Sequence, residues 1–120
     1  LLERVDEARQ AFVESRAGFE ALGHVRNLGA VDAERSALEE RFGDPAVARA
    51  HATEALRMLV GRVDEALPIV VARRTLARVA LAEDDRDEAA RQLAAIDEQL
   101  ARQPWPRGQA WADELRERLG

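Results

Sequence analysis

The chain has 120 residues, of which 47 % are hydrophobic and 34 % charged, with no cysteine and a formal net charge of −5. That balance allows one folded domain with its own core, argues against intrinsic disorder, and excludes disulfides and thiolate metal sites. An acidic chain lacks the basic surplus that general phosphate binding needs, and no apolar run approaches the roughly 20 residues of a membrane span, so neither nucleic acid nor membrane is an expected partner of this segment.

Punctuation by Gly, Asp and Pro divides the chain into six predicted helices and no strand. The first covers 2–22 and stops at Gly23, which can take the left-handed conformation that ends a helix. The second covers 25–42 and turns Leu28, Val31, Leu38 and Phe42 inward. Gly43-Asp44-Pro45 ends it and starts the third, 45–60, because Gly allows positive φ, Asp caps, and Pro suits the first helical position. Asp64 is the expected cap of a fourth helix, 65–82, which tolerates Pro68 in a first turn whose N–H groups have no partners. Asp85 is expected to cap a fifth, 86–102, with Asp87 and Glu88 where the macrodipole favours acid. Pro104-Trp105-Pro106-Arg107-Gly108 then breaks the chain before a short sixth helix, 109–119. Short connections make neighbouring helices antiparallel hairpins.

Three of these helices carry small or apolar residues at the same offsets, i, i+4, i+7 and i+11. They are Ala8, Phe12, Ser15 and Phe19, then Ala48, Ala52, Ala55 and Leu59, then Ala89, Leu93, Ile96 and Leu100. The stripe returns after 40 and then 41 residues, the period range of helical solenoids. Alanine lets backbones approach, while Leu59, Leu93, Ile96 and Leu100 fill the grooves between ridges. Each hairpin buries only part of its apolar face alone and leans on the next. Trp111, Leu115 and Leu119, at i, i+4 and i+8, are expected to close the stack, with Trp105 at the corner. The first helix has no hairpin partner, so a missing part of the protein or a second chain is expected to cover it. The opening Leu1-Leu2-Glu3-Arg4 lacks the basic and apolar stretches of a leader and reads as the edge of a trimmed fragment.

The third unit resembles the tetratricopeptide repeat, with Leu76-Ala77 and Ala80 on its first helix, Asp84-Asp85 at the turn, and Ala89, Leu93 and Ile96 on its second. The second unit matches at Gly43-Asp44, Ala48, Ala52 and Ala55, but has Arg35 and Ser36 where the family places a large apolar residue and a small one. The first unit has only a second helix, ending in Phe19-Glu20-Ala21-Leu22-Gly23. This ending, the period near 40 and a basic set of 18 residues that are all Arg are similar to the repeats in the C-terminal parts of large bacterial LuxR-type and antibiotic-regulatory ATP-dependent transcription factors. The Arg and Ala bias also points to a GC-rich bacterial genome.

The resemblance covers roughly residues 5 to 103. It implies an all-α fold of antiparallel hairpins stacked as a right-handed solenoid in a single domain. The divisions are a half repeat over 1–23, repeats over 24–62 and 63–103, and a C-terminal capping helix over 104–120. It also implies a concave groove that takes a peptide or partner domain, in a cytoplasmic regulator whose DNA-binding and nucleotide-binding parts lie outside this chain.

Residues that carry chemistry are sparse. His24 and His51 have no second His or Cys at ligand spacing and read as surface or capping residues. The acidic run Glu83, Asp84, Asp85, Asp87 and Glu88 lacks the alternating ligands and the Gly of a calcium loop, and helix capping explains it better. No Gly-rich phosphate loop, Gly-x-Ser-x-Gly or His-Glu-x-x-His occurs, so the chain reads as a non-enzyme without metal or cofactor.

Arg74 and Arg78 stand out, four residues apart on the fourth helix and off its apolar stripe. In the family register they face the groove, with Val71, Leu81 and Ala82 beside them and Ala33, Ala37, Glu40 and Arg41 on the preceding unit. The candidate partner-binding residues are therefore Arg74, Arg78, Val71, Leu81, Ala37 and Arg41. Guanidinium groups there could hold a carboxylate or an acidic peptide by bidentate hydrogen bonds. The plainer reading pairs both arginines with acids on neighbouring helix surfaces.

Two functional classes follow. One is an interaction module that holds a peptide, a partner domain or, through its first helix, another copy of itself. The alternative is an α-helical ligand-sensing domain of a bacterial transcriptional regulator, with a small molecule between its helices. The Ala-rich, closely packing stripes favour the first, since helices that line a cavity would be long and uniformly apolar.

Overall fold

The computed structural model describes residues 2–120. Among the described residues there are six helices and no strand: α1 (Leu2–Leu22), α2 (Val25–Phe42), α3 (Pro45–Leu59), α4 (Ala66–Ala82), α5 (Arg86–Arg102) and α6 (Pro106–Leu119). The fold is all-α, and no helix is long and apolar enough to cross a membrane.

Several helix ends follow from local chemistry. Asp44 accepts a hydrogen bond from the Ala46 N–H at 2.8 Å, with Pro45 at the first helical position of α3. Asp85 accepts one from the Glu88 N–H at 3.1 Å and so opens α5. Two boundaries differ from expectation. Asp64 does not cap α4; the cap position is Glu65, whose side chain makes no capping bond. Asp64 instead accepts from Gln99 Nε2 at 2.9 Å, which ties the α3–α4 connection to α5. The sixth helix begins at Pro106 rather than at 109, because a proline that stops one helix is also preorganised to start another. Gly108 therefore lies inside α6, where an added Cβ would meet the Trp105 ring at 2.7 Å.

The second and third apolar stripes are buried along their whole length. The first is not. Ser15 is exposed, Ala8, Phe12 and Phe19 are half-buried, and the one fully buried residue of α1 is Val5. The physical reason is that α1 packs against α2 alone, so one side of the helix suffices. Phe42, expected inside, is 38 % exposed at the end of α2, with the Arg41 guanidinium over its ring at 5.1 Å.

Each helix packs on the next in the chain, and in addition α2 touches α4 and α4 touches α6, whereas α1, α3 and α5 do not pack on one another, Arg16 of α1 meeting Glu54 of α3 only across a 3.9 Å ion pair. The core has two parts. Val70, Ala77, Leu93, Ile96, Leu100, Ala112 and Leu115 form an aliphatic cluster of α4, α5 and α6, with Trp105, Trp111 and Leu119 against it. Ala33, Ala52, Ala55 and Ala72 form a second, where the absence of larger side chains lets α2, α3 and α4 approach closely. Ser36 is fully buried at the α2–α4 crossing, its Oγ 2.9 Å from Thr75 Oγ1 and 2.7 Å from the Ala33 carbonyl oxygen. It thereby supplies a small side chain at the crossing.

Polar clamps fasten α1 to α2. Arg9 donates to both Glu39 oxygens at 2.9 and 3.0 Å, and Arg16 donates to both oxygens of Asp32, which is 1 % exposed, at 3.1 and 3.4 Å.

Candidate functional site

A spacing of four residues places Arg74 and Arg78 on one face of α4. That face borders a groove of about 480 Å³ between α1, α2 and α4. Arg74 and Arg78 enter it from α4, Ala37, Glu40 and Arg41 from α2, and Phe12 from α1. The structure thus brings together four of the six candidate residues: Arg74, Arg78, Ala37 and Arg41. The other two do not line it. Val71 packs against the alanine cluster, and Leu81 packs against the aliphatic cluster, so both are engaged by apolar neighbours. Ala33 is buried in the alanine cluster, and Ala82 lies exposed at the end of α4; neither lines the groove.

The arginines differ in their electrostatics. Arg78 Nε donates to Glu40 Oε1 at 2.8 Å, and its Nη1 faces Glu114 Oε1 at 3.5 Å, so this side chain is paired with helix-surface acids. Arg74 forms no ion pair among the described residues; its guanidinium lies over the Trp111 ring, 4.4 Å from the centroid. Burial, and then the positive charge of Arg78, push the Arg74 pKa below the ordinary arginine range. Arg41 likewise has no carboxylate partner among the described residues and meets Phe42. The groove is therefore half apolar, with Arg41, Arg74 and Arg78 set against Glu34 and Glu40.

Phe12, Glu34 and Phe42 line the groove and Trp111 and Glu114 border it, although sequence reasoning named none of them as site residues. For Trp111 a signal existed: an amphipathic ring at the edge of an apolar stripe has one face for the core and one for a cation. Which cation it meets depends on the α4–α6 contact, which leaves no local trace in the sequence.

The histidines lie elsewhere. His24 is exposed at the cap position of α2 without a capping bond, its ring 6.3 Å from that of Phe19. His51 is half-buried on α3, where burial and then Arg35 push its pKa down. In the acidic run, Asp85 caps α5, Glu88 is engaged by Arg91 and Gln92, and Glu83 pairs with Arg49 at 2.6 Å. Among the described residues no group of three or more His, Cys, Asp or Glu is arranged to hold a metal ion.

The groove presents a mixed polar and apolar surface. Comparison with protein-family models, curated proteins and solved structures gives no match.

Proposed function

We propose that this chain is a protein-interaction module of stacked helical hairpins, of the tetratricopeptide type, whose groove holds an extended peptide carrying acidic side chains. Arg74 carries this reading: a half-buried guanidinium over Trp111, without a carboxylate, beside an open groove. A partly desolvated charge is costly unless paired, and a ligand carboxylate would pair it through two N–H···O bonds. Arg41 offers a second point of attachment, Ala37 leaves room for a backbone, and Phe12 and Phe42 supply apolar contact. The glutamates among the arginines favour spaced acids over a dense polyanion.

The contact order supports a stack in which hairpins lean on their successors, with α2, α4 and α6 as the inner row. It weighs against the ligand-sensing alternative, because α1 and α6 do not meet and the helices form no ring around a central molecule. In this reading the module performs no catalysis and serves a larger cytoplasmic bacterial regulator of transcription. The exposed Leu2, Val13 and Leu22 of α1 are available for self-association or for the rest of that protein.

Selection of random peptides on the folded protein tests the proposal. The selected peptides are expected to combine Asp or Glu with apolar residues, and to quench or enhance Trp111 fluorescence on binding. Arg74→Ala should weaken them about tenfold, the loss of one charge-assisted contact, and Arg78→Ala less, since Arg78 already has acidic partners. Peptides without acidic residues, or affinity indifferent to Arg74, would overturn it.

A further inference from the structure

A second cavity shares no residue with the groove. The connection between α3 and α4 turns over the flank of α4 and α5 and bounds about 450 Å³, within the size range of small-ligand sites. α4 contributes Ile69 and, one turn on, Arg73; α5 contributes Ala95; the connection contributes Val60 and Val63.

The polar groups of this cavity are unequally satisfied. Gln99 Nε2 donates to Asp64 Oδ1 at 2.9 Å and Gln103 Oε1 at 3.2 Å, and its Oε1 accepts from Arg102 Nη2 at 2.8 Å. Arg102 also faces Glu98 at 3.4 Å and Asp64 at 3.5 Å. Arg73 has no such company. It is half-buried, its one hydrogen bond goes from Nη1 to the neutral Gln92 Oε1 at 3.1 Å, and it forms no ion pair among the described residues. Burial pushes its pKa down, and the distant charge of Glu98 only partly offsets this. A guanidinium with most of its donors unused, beside a wall of Val63, Ile69 and Ala95, is complementary to one anion attached to one apolar group.

We propose that this cavity binds a branched aliphatic monocarboxylate, either a free acid or the C-terminal residue of a peptide, with Arg73 holding the carboxylate in a two-bond fork. The aliphatic group lies on Val63, Ile69 and Ala95.

Calorimetric and NMR titration of the whole chain tests this, with 4-methylpentanoate, 4-methylpentanamide, and acetyl-Ala-Leu with a free or an amidated end. Each acid should bind at least about tenfold more tightly than its amide, the loss expected when a charged bidentate acceptor becomes neutral. A free-ended peptide that binds more tightly than 4-methylpentanoate assigns the site to peptide ends; the reverse order assigns it to small acids. Arg73→Gln should weaken the acid about tenfold or more and leave the amide unchanged. If Arg73→Gln fails to fold, Ala95→Leu fills the cavity and must abolish binding in a protein with wild-type circular dichroism. Equal binding of acid and amide, wild-type affinity in both variants, or no binding at about 10 mM would overturn the proposal.

Discussion

Asp32 is the charged side chain fully withdrawn from water among the described residues, and its two oxygens are held by Arg16, with Arg35 more distant at 4.0 Å. The two partners are not equivalent. Arg16 is a quarter exposed and can turn to water if Asp32 is neutralised, whereas Asp32 without Arg16 is a stranded buried charge. Arg16→Ala should therefore cost about 3 kcal/mol and Asp32→Asn only about 1 kcal/mol, read from urea midpoints at a constant slope. His51 gives a second effect. Its folded pKa lies below the ordinary 6.5 because the half-buried ring resists protonation, so the unfolded chain binds protons more readily as the pH falls through 6.5. Stability should decline from pH 7 toward the lower folded pKa, and His51→Gln should remove that decline while leaving acid-range losses in place. Neither effect was legible in full. An acid on the inner stripe of α2 is visible in the sequence, but Arg16 reads as an ordinary surface charge until α1 is laid across α2. The same holds for Arg78, whose acids lie on two other helices, and for Arg74, whose aromatic partner is 37 residues away.

Helices meet through a few close approaches. At the α2–α3 crossing a Cβ on Gly29 would stand 2.5 Å from Leu59 side-chain atoms, whereas one on Gly18, within α1, meets nothing within 4 Å. Gly29→Ala should destabilise by about 1–3 kcal/mol through overpacking. Gly18→Ala should add up to about 1 kcal/mol to α1 by helix propensity. Hydrogen exchange separates the two, with faster opening across α2 and α3 in the first variant and slower opening confined to α1 in the second. Most helix limits were readable because they are local: Gly23, Asp44, Pro45 and Asp85 act on residues next to them. Asp64 was misread because an acid before a helix has a competing use when Gln99 approaches from another helix. Pro106 was misread because a helix stop and a helix start use the same ring.

Seen whole, the molecule is asymmetric about its two ends. α6 places Ala112 and Leu115 inside the aliphatic cluster, while α1 buries Val5 and otherwise rests on α2 through half-buried side chains and polar clamps. Deleting 104–120 should abolish the cooperative thermal transition by exposing Leu93, Ile96 and Leu100. Deleting the chain through Leu22 should leave a cooperative but lower transition, with Asp32 open to water. Circular dichroism melts of both truncations distinguish these outcomes. The apolar spacing was enough to foresee an all-helical chain, since each stripe must face a neighbour. It could not foresee the makeup of the groove, which takes residues from three helices whose facing sides the apolar pattern leaves unspecified.

The single neighbour of α1 also has a mechanical meaning. Tension applied at the N-terminus would act on one interface before any other, peeling off a helix of 21 residues whose extended length is roughly 70 Å. Phe12 would leave with it, removing one wall of the groove while Arg74 and Trp111 stayed in place. A pull on this end would thereby change the shape of that groove.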